Sequence, residues 1–408
     1  MRRRAIGLLL LTLAAPAQAE RQARGSLGEA TYRQLDRAQT LMAEDQHADA
    51  LTLLQPLVER AGNDYERAVV LQTLGYLYAD QGQYARAIPP FEQALALDAL
   101  PQQPYEQMLL ALGQLLFAEG RMDAAIARFE QYFSEAGSDA GADAHLMLAS
   151  AYADRKRFRD ALPQVDAAIA KASAPKASWY QLKLGLHYEL KQFPACAETL
   201  VALIALVPDD PQYWRQLSSV LFEIKRDRAS LAVLALAARQ GLLTQASEIR
   251  NLASLYLLLE IPQKAAQVLD DGIARGILAS DEATLSRLGE AWIAAREYGR
   301  ADDVMARAAA MAAGGERALR LAQVRIEDQR WAAALEALDQ ALQKGVPKPG
   351  EAQFLRGVAA FEAGDLQRAE QAFTAAMAHR ERRQDARDWL AHLRQRAAET
   401  AAAAGSPG

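Results

Sequence analysis

Residues 74–94 read Leu74-Gly75-Tyr76-Leu77-Tyr78-Ala79-Asp80-Gln81-Gly82-Gln83-Tyr84-Ala85-Arg86-Ala87-Ile88-Pro89-Pro90-Phe91-Glu92-Gln93-Ala94. Small and apolar positions recur here at helical spacing, and Asp80-Gln81-Gly82-Gln83 interrupts them. The stretch reads as two helices joined by a short turn. The theme returns along the chain. Leu112-Gly113, Leu116, Gly120, Ala125, Phe129 and Tyr132 repeat it, as do Leu148, Tyr152, Phe158, Ala161 and Ala168. Leu252, Tyr256, Ala265 and Leu269 follow, then Leu288-Gly289, Trp292, Tyr298, Ala301 and Ala308. Leu321, Trp331, Ala334 and Leu338, then Gly357, Gly364, Ala369 and Phe373, complete the series.

One column sets the register. The small residue that opens the second helix falls at Ala50, Ala87, Ala125, Ala161, Cys196, Ala265, Ala301, Ala334 and Ala369, with the sixth copy placed near Leu231. The steps run from 33 to 38 residues. Ten such copies resemble the tetratricopeptide-repeat family. The resemblance covers nearly the whole chain after residue 30. The expected fold is therefore all-α: a right-handed tetratricopeptide-repeat solenoid of about ten helix pairs, residues 31–380. A polar capping helix over 381–399 and a disordered tail over 400–408 should follow. One pair cannot bury its own apolar stripe, so neighbours must stack. The copy at 212–240 reads as degenerate, because Leu231 is large where a small residue is expected. Asp210 and Pro211 read as an N-cap and first-turn proline, and Ser178 and Ser280 as further caps.

Composition agrees with helices. Of 408 residues, 51% are hydrophobic and 24% charged, with only 24 Gly and 15 Pro. That balance excludes a disordered or membrane-embedded chain. A single cysteine excludes an internal disulfide and a cysteine-based zinc site. The five histidines have no HExxH spacing, and there is no phosphate-binding glycine loop or GxSxG elbow. No catalytic set and no metal or cofactor site is expected. An enzyme with a site buried in the solenoid is the reading this disfavours.

Residues 1–19 read as a cleaved signal peptide. Arg2, Arg3 and Arg4 precede the apolar run Ala5–Ala15, and Ala17-Gln18-Ala19 is a small-x-small cleavage site. Residues 20–30 form an N-terminal extension. Cleavage leaves 43 basic against 51 acidic residues, a formal charge of −8. An acidic chain argues against nucleic acid as a partner. No later apolar stretch reaches 18 residues, so a membrane span is not expected. A periplasmic location follows from export with so little cysteine.

A closer resemblance rests on four segments: Glu20–Arg24, Asn63–Ala68, Ser178–Leu190, and Gln240–Thr244 leading to Leu252–Tyr256. Together they resemble the exported repeat proteins encoded beside TonB, ExbB and ExbD. The resemblance implies a non-enzymatic periplasmic scaffold accessory to that energy-transduction system. The alternative is a scaffold for another envelope machine, in cell-wall synthesis or polysaccharide export. Partners are then proteins or extended peptide segments, TonB, ExbB or ExbD among them.

The resemblance also implies that first helices line a concave surface. Gln72, Tyr76, Gln114, Phe117, Arg215, Ser219, Phe222, Arg250 and Ser254 are the candidate groove residues. Aromatics there can hold prolines or apolar side chains, and amides can meet a peptide backbone. Tyr76, Phe117 and Phe222 are the candidates for a polyproline segment of a TonB-type partner. Cys196, Trp214, Trp292, Trp331 and Trp389 read as packing residues. His187 has no second histidine to make a ligand set. Arg380, Arg382 and Arg383 read as a solvated basic face.

Overall fold

A computed structural model describes residues 21–404, so the expected signal peptide lies outside the described residues. The chain forms two compact units. The first ends at Leu206 and holds α1 (Glu29–Ala43), α2 (His47–Arg60), α3 (Asp64–Asp80), α4 (Tyr84–Ala96), α5 (Gln102–Ala118), α6 (Met122–Ala136), α7 (Ala142–Asp154), α8 (Phe158–Lys171), α9 (Ala177–Glu189) and α10 (Phe193–Leu206). The second begins at Val207 and holds α11 (Pro211–Glu223), α12 (Asp227–Arg239), α13 (Ala246–Leu258), α14 (Pro262–Ala274), α15 (Glu282–Ala294), α16 (Tyr298–Met311), α17 (Glu316–Glu327), α18 (Trp331–Lys344), α19 (Pro349–Glu362), α20 (Leu366–Met377) and α21 (Arg383–Ala404). No strand occurs among the described residues. These are ten helical pairs and a final helix, as the repeat count predicts.

Every pair closes in the same way. One residue with positive φ follows each first helix: Asp45, Gly82, Gly120, Lys156, Lys191, Lys225, Glu260, Arg296, Gln329 and Gly364. The next amide then donates to the carbonyl five residues back, as in Gln83 N to Tyr78 O (2.9 Å) and Arg226 N to Leu221 O (2.8 Å). This is the Schellman closure, which satisfies carbonyls that the helix end would leave bare.

Packing inside a pair follows side-chain size. Where the second helix brings Phe91, Phe129, Met305 or Phe373, the residue sixteen positions earlier is glycine: Gly75, Gly113, Gly289 and Gly357. A Cβ on Gly75 would stand 2.8 Å from the Phe91 ring, and one on Gly113 2.7 Å from Phe129. Where the partner is Leu54, Val165, Leu269 or Leu338, the earlier residue is Ala38, Ala149, Ala253 or Ala322. All eight of those side chains are buried. Within each unit, the second helix of a pair then packs on the first helix of the next.

The sixth pair corrects one expectation. The small residue of its column is Ser230, fully buried, and not Leu231. Ser230 lies 34 residues after Cys196 and 35 before Ala265, so the repeat is in step. Its hydroxyl is accommodated because Ser218 faces it, with the two Oγ atoms 2.8 Å apart and Ser230 Oγ donating to Ser218 O at 2.9 Å.

Caps agree in part. Asp210 accepts the Gln212 amide at 2.9 Å ahead of Pro211, as expected. Ser178 instead lies inside α9, and the cap of α15 is Asp281, which accepts the Thr284 amide at 2.8 Å. An ionised carboxylate suits a helix N-terminus better than a hydroxyl does. Ser280 takes the Arg307 guanidinium instead (2.8 Å).

The final helix continues five residues past the expected end at 399, to Ala404. The alanines at 401–404 are strong helix formers, which accounts for the extension. Trp389 stacks on Phe373 (5.4 Å between centroids) and meets Phe361 edge-on (5.3 Å), so α21 closes the last pair. Trp214 and Trp292 are buried, and Trp331 packs against the second unit's core. Cys196 is buried, and burial raises its thiol pKa. His187 pairs with Gln192 (2.8 Å), and Arg382 with Asp385 (2.9 Å) and Glu351 (3.5 Å).

Candidate functional site

The nine groove candidates share offsets from the small residue of each first helix. Gln72, Arg215 and Arg250 lie three before it, Tyr76, Gln114, Ser219 and Ser254 one after, and Phe117 and Phe222 four after. Those offsets form one helical face. In the first unit, Tyr76 is exposed on α3 and meets Phe91 edge-on (5.0 Å). Gln114 is exposed on α5, and Phe117 packs partly into the core.

In the second unit the same offsets build a concavity. Arg215, Ser219, Phe222 and Ser254 line a cavity of about 450 Å³. Arg250 does not; it lines a neighbouring cleft of about 260 Å³ on the other flank of α13. The cavity has room because the position held by Tyr76 and Gln114 in earlier pairs is serine here, at 219 and 254. Ser218, Ser230 and Leu234 are its buried parts, and Phe222 and Leu258 are exposed, at 42% and 55%.

One wall is an ion pair. Arg215 on α11 bridges to Glu248 in the first turn of α13. Glu248 is buried and also accepts the amides of Thr244 (2.8 Å) and Gln245 (2.9 Å). Burial opposes its charge, but the Gln245 amide, the Arg215 guanidinium and the Thr244 amide together hold its pKa below the usual glutamate value. The carboxylate therefore stays ionised and locks α11 to α13.

Asn251 and Ser219 have no side-chain hydrogen-bond partner among the described residues, so both can meet a bound backbone. Ser254 Oγ turns back to the Arg250 carbonyl (2.8 Å). Sequence reasoning missed Asn251, Glu248 and the Ser218–Ser230 pair. The serine pair was detectable, since Ser230 keeps the repeat step. Among the described residues, no group of three or more His, Cys, Asp or Glu is placed to hold a metal ion. No described helix is long and apolar enough to cross a membrane.

Two family models, both described as tetratricopeptide repeat, match the chain. One matches residues 72–140, 110–178 and 319–386, and the other 29–99. Together they take in more than half of it. No curated protein matches. Among solved structures, the chain is similar to a tetratricopeptide repeat protein from Parabacteroides merdae (13% identity, 65% of this chain and 99% of that one, TM-score 0.38). It is also similar to the P58(IPK) TPR domain (15%, 91% and 99%, TM-score 0.26) and to YrrB, described as a TPR protein with an unusual peptide-binding site (17%, 41% and 84%, TM-score 0.32).

Proposed function

Because the chain belongs to the tetratricopeptide-repeat family, a family of protein-interaction scaffolds, we propose that it binds protein segments through the first-helix face of α11 and α13. The observation that carries this reading is the cavity there, partly apolar within and fringed by unpaired hydrogen-bonding groups. Such a lining suits a side chain inside and a backbone across the rim.

The finer part of the proposal is a periplasmic role accessory to TonB, ExbB and ExbD. The Arg2–Ala19 pattern supports export, and the four segments beginning at Glu20, Asn63, Ser178 and Gln240 support the family assignment. In-cell crosslinking of the tagged chain in iron-poor and iron-rich growth tests it. Capture of TonB, ExbB or ExbD is the expected result. Capture of cell-wall or polysaccharide-export proteins instead would replace the TonB role with the other envelope role and leave the scaffold intact.

A further inference from the structure

Helix α13 separates two concavities of opposite character. Asn251 and Ser254 line the cavity shared with α11, while Arg250 lines the cleft shared with α15. Consecutive helical residues point about 100° apart at nearly the same height. The cavity and the cleft are therefore side by side on the two flanks of one helix.

Their electrostatics differ. In the cavity the only charges are Arg215 and Glu248, which pair with each other. In the cleft, Arg250 and Arg287 have no ion-pair partner among the described residues. The one carboxylate there, Asp281, feels the charge of Arg250, but its oxygen is engaged by the Thr284 amide. The cleft is left with one net positive charge, next to a cavity with none.

We propose that these two concavities read one extended peptide segment, an apolar side chain entering the cavity and a carboxylate three residues away meeting Arg250 and Arg287. The spacing follows from geometry. A helix with its side chains is about 10–12 Å across. Extended chain advances about 3.3 Å per residue, so three residues cross it. The free Asn251 amide and Ser219 hydroxyl meet the backbone at the cavity. This deepens the scaffold reading and rests on it.

Fluorescence anisotropy of the purified protein with labelled, end-capped peptides tests it. The probes carry phenylalanine and aspartate separated by two serines, in both orders. One order should bind. Replacing its aspartate by asparagine, or its phenylalanine by serine, should weaken binding on the order of tenfold, the worth of one charge-assisted contact or one buried side chain. Placing the two residues adjacent should weaken it likewise. Arg250→Gln with Arg287→Gln should abolish the preference for aspartate only. Ser254→Phe, which keeps the Ser219 hydroxyl, should fill the cavity and abolish the preference for phenylalanine only; Ser219→Phe, at an exposed position, should abolish that preference and also lower affinity overall, because a backbone contact is lost. Failure of both orders to bind, equal binding of the asparagine peptide, or unchanged preferences in the variants would overturn the proposal. In-cell capture separates this from the scaffold reading. If these variants still capture the wild-type partners, the peptide rule falls and the scaffold stands; if the wild-type chain captures none, the scaffold reading falls.

Discussion

Gly75 and Gly82 are seven residues apart and are glycine for different reasons. Gly75 faces the Phe91 ring, and a methyl there would stand 2.8 Å from it. Gly82 has open space around it but a φ of +69°. Gly75→Ala should therefore cost about 1–3 kcal/mol by overpacking. Gly82→Ala should cost about 1 kcal/mol through backbone strain alone. Urea unfolding distinguishes them further, because Phe91→Leu should rescue Gly75→Ala and leave Gly82→Ala unchanged. The Ser218–Ser230 pair makes a second residue-scale prediction. Either serine changed to alanine removes the contact between the two hydroxyls but leaves the other hydroxyl its backbone carbonyl, so each should cost about 1 kcal/mol. The double alanine variant should be nearer neutral, since alanine fills these columns elsewhere. Additive losses in a double-mutant cycle would show that the two hydroxyls act independently. This pair also marks the edge of what could be read in advance. A search for small apolar residues passes over Ser230, and only its buried partner explains why a hydroxyl can stand there.

At the scale of elements, two first helices are tied down by a buried glutamate in the first turn. Glu66 of α3 accepts the amides of Gly28 (2.5 Å) and Gly62 (2.6 Å), which hold its pKa down despite burial. Glu248 of α13 is held down against its own burial by the Gln245 amide, Arg215 and the Thr244 amide. A carboxylate lowered in the folded state stabilises fully above the ordinary glutamate value of about 4.3. That contribution is lost as pH falls through the lowered folded values. A Glu66→Gln, Glu248→Gln variant should be less stable at pH 7 and lose less on acidification to about pH 3. A loss parallel to wild type would contradict this role. The helices themselves were legible because their small residues keep a regular step. The turns were only partly so. Gly82, Gly120 and Gly364 announce the left-handed residue, whereas Lys156, Lys225 and Glu260 occupy the same conformation without a glycine to signal it. The Schellman closure and the packing behind it over-determine the conformation there, and spacing alone does not reveal it.

For the whole molecule, the ten-pair architecture could be counted from the repeat, but its division at Leu206 and Val207 could not. A repeat step counts pairs and carries no mark of where one compact unit ends. The candidate face could be read as a set of offsets on first helices. Its concentration on α11 and α13 could not, because a cavity depends on which neighbours are short. Ser219 and Ser254 leave space only in the company of Ser218, Leu234 and the Arg215–Glu248 bridge. The proposed function requires this face, and not the opposite face of the same pairs, to receive a partner. Site-specific photocrosslinking in cells tests it most directly, with the crosslinking residue placed at Asn251, at Ser254, or at the exposed Leu236 on second helix α12. An identified protein partner should be joined through positions 251 and 254 and be absent from 236. The same partner joined through 236 and absent from 251 and 254 would contradict the proposed function.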